Sequence, residues 1–328
     1  MNSQEAKKLQ QKGVQTLKKY ISGKNCVIAG ISGGPDSTFL LHLLKQIPCK
    51  VVIAHVNHEI RGKESDSDEK FVKKLSEKFH IHFHCKKIDT PALSKKTKKG
   101  IEETARKIRY DFFEELAKKH KAKYILTAHQ ADDNIETILF NFTRGATLKG
   151  ISGISELEMF DGKKTPLLRP LLIFSKKQIT DYMNFKKIKF CIDKTNENIR
   201  YKRNLIRKKV IPNLKLINSG LIETVAKNSQ NLREILDYLQ QSATEWISEN
   251  TLNEELTKFN TKTFSTLPIA LQKAILIEIY KNFVGNLTGL EVVHLDEVLK
   301  IINQNIGNKK KKLVEAVVTI KNNIFHIS

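Results

Sequence analysis

The residues with the clearest chemical potential are Ser32-Gly33-Gly34-Pro35-Asp36-Ser37, directly after the apolar run CVIAGI at 26–31. A strand ending at Ile31, a Gly-Gly turn and a helix starting near Asp36 set backbone N–H groups at the positive end of a helix, where anions bind. Glycine permits positive φ and a close approach, so successive N–H groups can form a concave anion site. Ser32 and Ser37 add hydroxyl donors. The loop differs from the G-x-x-x-x-G-K-S/T pattern and carries Asp36 in place of the lysine, which leaves pyrophosphate as its natural cargo. A carboxylate repels phosphate unless a divalent cation lies between them, and Mg²⁺ takes one or two carboxylates together with phosphate oxygens. The other use of Asp36 is as a helix cap, and the loop by itself leaves both open.

Four more groups of residues offer chemistry. Asp133 and Glu136 in Asp132-Asp133-Asn134-Ile135-Glu136 are three apart, so both carboxylates share one helical face. Acidic residues at a helix start also favour the macrodipole and cap it. His55 and His129 each end an expected strand, where a side chain either faces the ligand crevice or is satisfied at the sheet edge. Arg109, in Arg106-x-x-Arg109-Tyr110, can neutralise developing phosphate charge or pair on the surface with Glu102 or neighbours of Asp111. NIRYKRNLIRKK at 198–209 sets Arg200, Lys202, Arg203, Arg207 and Lys208 around Tyr201. Arginine forks suit phosphates and carboxylates, and tyrosine can stack on a base; for the lysines a solvated face stays open.

The elements that must position these residues follow from hydrophobic pattern. CVIAGI (26–31), KVVIAHV (50–56), IHFHC (81–85) and YILTAH (124–129) are near-continuously apolar, as in strands buried on both faces of a parallel sheet. Residues 36–46, 64–79, 101–120 and 131–143 read as helices between and after them; Ile101, Ala105, Ile108, Phe112 and Leu116 keep helical spacing. The alternation predicts an α/β fold with a doubly wound parallel sheet and ligands beyond the carboxyl ends of its strands. A loop-rich connector spans 145–170, and a basic segment spans 190–212. Beyond it, 221–250, 267–283 and 290–303 read as helices, and the chain ends in a β-hairpin turning at Lys321-Asn322-Asn323. This predicts a catalytic domain at 1–215 and a smaller, mainly helical domain at 216–328. No internal repeat is found.

Charge sharpens that division. The 328-residue chain carries 57 Lys+Arg against 35 Asp+Glu, a net charge of +22. Residues 1–215 hold 45 against 23, and residues 216–328 hold 12 against 12, so the whole excess lies in the first part. Such an excess favours a polyanionic partner, although solvated lysines alone also produce it. At 40% hydrophobic and 28% charged the composition is that of a soluble globular protein. The polar N-terminus has no signal-peptide pattern, and no window is apolar enough to span a membrane. Cys26, Cys49, Cys85 and Cys191 lie far apart, which argues against a zinc site or redox dithiol and suits a reducing cytoplasm.

SGGPDS after a strand resembles the loop of the N-type ATP pyrophosphatases, or PP-loop proteins, which are adenine nucleotide alpha hydrolase-like in fold. Four further segments resemble the tRNA(Ile)-lysidine synthetase family: HVNHEIRGKESDSDEKFV (55–72), IEETARKIRYDFF (101–113), TAHQADDNIETILFNFTRGATLKGISGI (127–154), and LLRPLL with IDKTNENIRYKRNLIRKKVIP (192–212). The likeness runs colinearly over about residues 22–215; the last third fits a helical substrate-binding domain only loosely. The additional C-terminal domain of longer family members is not expected here.

The resemblance implies an ATP- and Mg²⁺-dependent ligase that adenylates the wobble cytidine of a CAU-anticodon isoleucine tRNA and then attaches free L-lysine. It implies ATP binding by Ser32, Gly33, Gly34, Pro35, Asp36, Ser37, His55 and His129, with Asp36 on Mg²⁺ and Asp36 and Arg109 catalytic. Lysine falls to Asp133, Glu136 and Arg203, and tRNA to Arg200, Arg203 and Arg207. A cytoplasmic homodimer acting away from membranes is implied as well. The rivals are a tRNA thiolation enzyme, which generally needs a reactive cysteine pair, and a non-catalytic nucleotide- or RNA-binding relative, which would be expected to lose Asp36, Arg109 or the Asp133/Glu136 pair.

Overall fold

The computed structural model describes residues 1–159, 164–192, 202–287, 289–304 and 308–328. After α1 (Ser3–Lys18), strands and helices alternate: β1 (Cys26–Gly30), α2 (Pro35–Leu44), β2 (Lys50–Asn57), α3 (Lys63–Phe79) and β3 (His82–Lys87). Next come α4 (Thr90–Thr97), α5 (Ile101–His120), β4 (Tyr124–Leu126), α6 (Ala131–Phe142) and α7 (Leu148–Ile151). β5 (Leu157–Glu158), β6 (Leu167–Leu168), α8 (Lys176–Phe185), α9 (Lys202–Leu205), a π-helical turn (Ile206–Val210) and α10 (Ile211–Ile217) complete the first two-thirds.

The strand order is β3-β2-β1-β4-β6-β5, parallel throughout except for the antiparallel edge pair β5–β6. Alternation along β1 explains the double winding. Val27 and Ala29 join the core formed with Ala6, Leu9 and Leu17 of α1, Phe39, Leu40 and Leu43 of α2, and Ile179 and Met183 of α8. Ile28, one residue out of phase, joins Phe112, Phe113 and Leu116 of α5 on the opposite face. Both faces are buried, so the strands read as continuous apolar runs.

Two expectations about this sheet need correction. The fourth strand stops at Leu126, three residues short of His129, because its neighbour β6 is only two residues long; a last ladder bond runs from Thr127 N to Leu168 O at 3.1 Å. The connector at 145–170 is not simply loop: it holds α7, β5 and β6. Buried Arg169 ties it together, donating to Ser155 O and Glu158 Oε2, both at 2.7 Å.

The chain divides into two compact units, Met1–Arg144 with Gly153–Ala226 and Gly145–Ser152 with Lys227–Ser328. The first unit runs as far as Ala226, within the continuous helix α11 (Leu221–Asn250), where no break in helical pattern marks the division. The second unit then contains β7 (Lys258–Asn260), α12 (Thr261–Ser265), α13 (Ile269–Val284), α14 (Val292–Asn303), β8 (Lys309–Lys312), β9 (Val317–Lys321) and β10 (Ile324–Ile327). The expected hairpin is β9–β10, turning through Asn322 and Asn323 at φ 51° and 58°, within a four-stranded antiparallel sheet ordered β7-β10-β9-β8. The lysine run 309–312 is the edge strand β8, a charged edge that discourages strand pairing with other chains. Phe259, Phe264 and Phe325 stack at the centre of this unit's own core. Among the described residues, no helix is long and apolar enough to cross a membrane.

Candidate active site

The glycine loop joins β1 to α2. Its shape is set from within by Ser37, whose Oγ accepts from Ser32 N (3.2 Å) and Gly33 N (3.1 Å) and donates to Gly34 O (3.1 Å). Thr38 Oγ1 and Cys191 N both donate to Gly33 O, at 3.2 and 2.9 Å. Gly33 has φ +95°, and an added Cβ would meet Cys191 Sγ, Phe71 and Val72 at 3.2–3.3 Å, so glycine is required there. Ser37 is thus part of the loop's internal frame, and Ser32 is left exposed at its rim.

Gly34 is the N-cap of α2 and Pro35 its first residue; no side-chain capping bond is made there. Asp36 follows, with its Oδ1 buried and, among the described residues, without a hydrogen-bond partner. Burial, seconded by the charge of Asp133 and opposed by Lys176 and Arg207, pushes its pKa up to about 7. A buried carboxylate oxygen with no donor, near further carboxylates, fits a hard cation such as Mg²⁺ better than it fits a cap.

Asp133 and Glu136 do lie on one face of α6, and each has a structural role too. Asp133 Oδ2 accepts from Gln130 N at 3.0 Å, closing a capping box at the start of the helix. Its Oδ1 faces Arg207 Nη2 at 3.4 Å. Arg207 also forks onto Glu136, Nε to Oε1 and Nη2 to Oε2, the second at 2.9 Å. The Glu136 side chain is only 6% exposed, and burial raises the pKa of both acids while Arg207 opposes the rise. Asp132 completes the group: Oδ2 accepts from Lys176 N at the start of α8 (2.8 Å) and Oδ1 pairs with Lys215 of α10 (2.9 Å).

The histidines and Arg109 occupy the neighbouring strand ends. His55, 4% exposed, donates from Nδ1 to Ile31 O at 2.8 Å, which leaves Nε2 as an acceptor; burial lowers its pKa. His129 shares a 2.9 Å hydrogen bond with Thr127 Oγ1, and burial, then the charges of Arg169, Arg106 and Arg109, takes its pKa down to about 3. Both rings are therefore neutral at physiological pH. Burial lowers the Arg109 pKa, and no ion pair of Arg109 occurs among the described residues; its charge is felt by His129 and by His58. On the same helix Asp111 pairs with Lys107 at 2.7 Å.

The structure brings together Asp36, Asp133, Glu136 and Arg207, while the charge of Arg203 is felt by His129. Arg203 is exposed and lies over the Phe140 ring at 5.4 Å. Arg200 and Tyr201 fall outside the described residues. Sequence reasoning overlooked Lys176, Lys215 and His58. His58 shares a hydrogen bond with Thr90 Oγ1 at 2.9 Å, and its buried Nε2 has no partner among the described residues. Its position beside His55 in HVNHEIRG was the available signal; the two lysines had none.

Residues 2–214 match the family model described as a PP-loop domain. A tRNA(Ile)-lysidine synthase of Chlorobaculum tepidum is 40% identical over 229 residues, covering 67% of this chain and 67% of that protein. One of Clostridioides difficile is 32% identical over 324 residues, covering 96% and 67%. The chain spans about two thirds of the length of these curated relatives. Among solved structures, the U34-tRNA thiolase NcsA from Methanococcus maripaludis aligns with a TM-score of 0.58 over 70% of this chain and 79% of that one, at 19% identity, a likeness of fold.

Proposed function

This chain belongs to the tRNA(Ile)-lysidine synthase family of PP-loop proteins, and from that premise we infer that it joins free L-lysine to C2 of the wobble cytidine in a CAU-anticodon isoleucine tRNA. The observation that carries the reading is the convergence of Asp36, on the glycine loop, with the carboxylate pair Asp133/Glu136 and the cation Arg207. A nucleotide loop beside a cation-seeking acid pair is what an enzyme needs to activate an oxygen with ATP and then replace it with an amine.

In the first step the cytidine O2 attacks the α-phosphorus of ATP; the new O–P bond forms as the bond to the β-phosphate breaks, and pyrophosphate leaves. In the second, the lysine ε-amine attacks C2, the C2–O bond breaks and AMP departs with that oxygen. The free amine has a pKa near 10.4, so it must shed a proton before attack. Loop amides and Arg109 stabilise charge on the phosphates. Asp36 would hold Mg²⁺, which when bound neutralises phosphate charge. His55 and His129, both neutral, offer hydrogen bonds to the nucleotide without adding charge. Asp133 and Glu136 take the cationic groups of lysine, Arg203 serves the lysine carboxylate or tRNA, and Arg200 and Arg207 serve tRNA phosphates.

We further place catalysis in residues 1–215, tRNA recognition in 216–328, and the enzyme in the cytoplasm as a homodimer. Thiolation is the poorer reading. Burial raises the pKa of all four thiols, to about 11 at Cys49 and Cys85 and about 12 at Cys191, so none is a ready nucleophile. The decisive experiment supplies purified protein with unmodified CAU-anticodon isoleucine tRNA, ATP and Mg²⁺. AMP release must depend on added lysine; release indifferent to lysine overturns the assignment.

A further inference from the structure

The acid pair assigned above to lysine already holds a cation, and that cation belongs to the chain. All four carboxylate oxygens of Asp133 and Glu136 are engaged: one by Gln130 N and three by the Arg207 guanidinium. We propose that Arg207 is a built-in competitor of the substrate amine, occupying the Asp133/Glu136 pair until lysine displaces it. This rests on the reading of those carboxylates as the lysine site.

Electrostatics requires such an occupant. Burial raises the pKa of Asp36, Asp133 and Glu136, the charge of Asp133 adds to the rise at the other two, and Arg207 and Lys176 oppose it, so a site without Arg207 would hold its negative charge away from water with less compensation. The competitor comes from far along the chain, 71 residues beyond Glu136, and its carrier is built to move. Arg207 sits in the π-helical turn Ile206–Val210, whose i→i+5 bonding is rare and occurs mostly at functional sites. A small apolar cluster anchors one side of that turn: Ile206 and Ile211 meet Ile135, with Leu139, Phe140, Leu221, Ile222 and Val225 packed around them. On its other side ion pairs hold it, Arg207 to Glu136 and Asp133, and Lys215 of the following α10 pairs with Asp132.

The turn and α9 before it face solvent with charge. Lys202, Arg203, Lys208 and Lys209 are all exposed. A polyanion drawn to them pulls against the Arg207–Glu136 pair, so binding of the RNA substrate and admission of lysine favour the same displaced state. A ligand pair that shares one favoured state binds cooperatively, and reciprocally so. The device would keep free lysine from the acid pair until there is an RNA to modify.

The test is calorimetric titration of lysine into the full-length protein without tRNA. Arg207→Gln, which keeps length and removes charge, is expected to bind lysine roughly tenfold more tightly than the unmodified protein. Adding tRNA should tighten lysine binding to the unmodified protein and leave that of the variant unchanged. Equal or weaker lysine binding by Arg207→Gln overturns the proposal, since an arginine that held the lysine carboxylate would behave that way. A measurement that needs no variant is amide exchange: saturating lysine should speed exchange over 206–210, and slower or unchanged exchange also overturns it. Asp133→Asn separates the two levels. If it weakens lysine binding while Arg207→Gln fails to strengthen it, the lysine site stands and the competitor falls. If it leaves lysine binding unchanged, the site assignment falls and the proposal with it.

Discussion

Asp36 is the residue whose environment makes the sharpest statement about chemistry. Its carboxyl is raised from 3.8 to about 7 by burial first and by Asp133 second. A raised folded-state pKa means that the protonated form is favoured on folding. Its stabilising contribution is therefore complete below about pH 4 and is lost as pH rises through about 7. Asp36→Asn should accordingly raise the melting temperature of the ligand-free protein at pH 8 and leave it unchanged at pH 4; equal melting at pH 8 would show that the carboxylate is not desolvated. The same ionisation controls cation binding. Affinity for Mg²⁺–ATP should climb between pH 6 and 8 and be weak and pH-independent in Asp36→Asn, as read by equilibrium binding. On α6, Asp133→Ala should raise the lysine KM roughly 10- to 100-fold, the loss of a partly buried charge contact, with the ATP KM nearly unaffected. An unchanged lysine KM would return Asp133 to its capping bond with Gln130. These acids were legible because their spacing is local. Arg207 as their partner was not, because nothing at position 207 says which residue 71 or 74 positions earlier it will meet.

At the scale of elements, the loop between β1 and α2 makes a contrast between adjacent glycines. Gly33 has φ +95° and close neighbours in Phe71, Val72 and Cys191, whereas Gly34 is extended and would meet only Ser32 Oγ at 3.7 Å. Gly33→Ala should destabilise by roughly 1–3 kcal/mol, while Gly34→Ala should change stability by less than about 1 kcal/mol; thermal unfolding of the two variants decides it, and equal losses would contradict the geometry. Long elements were legible for the same reason that their patterns repeat. Ile101–His120 and Leu221–Asn250 fall where helical spacing put them, and β1 and β2 where unbroken apolar runs put them. Elements too short to show a period escaped: β5 and β6 have two residues each. The π-helical turn escaped as well, since its residues have ordinary helical character and nothing in their spacing distinguishes it from an α-helix.

At the scale of the molecule, charge is the dominant feature. With 45 Lys+Arg against 23 Asp+Glu in residues 1–215, association with RNA should be driven by counterion release. Affinity for tRNA should fall on the order of 10²- to 10³-fold between 50 and 200 mM salt, whereas lysine affinity should change by less than about threefold, its site being shielded from bulk ions. A flat salt response measured by filter binding would mean that the basic excess is only a solvated surface. Residues 216–328, balanced at 12 against 12, should contribute shape and specific contacts in place of bulk attraction.

The sequence by itself determined the doubly wound sheet, the loop that marks a nucleotide site, the carboxylate at that loop, the acid pair at spacing three, and the basic excess of the first two-thirds. Each follows from neighbours a few residues apart or from a sum over many residues. Tertiary structure alone decided that Asp36 Oδ1 is buried without a donor among the described residues, that Ser37 frames the loop from inside, and that Arg207 fills the acid pair. Desolvation and long-range pairing depend on which distant segments meet, and the strength of a buried charge is set by what surrounds it in space.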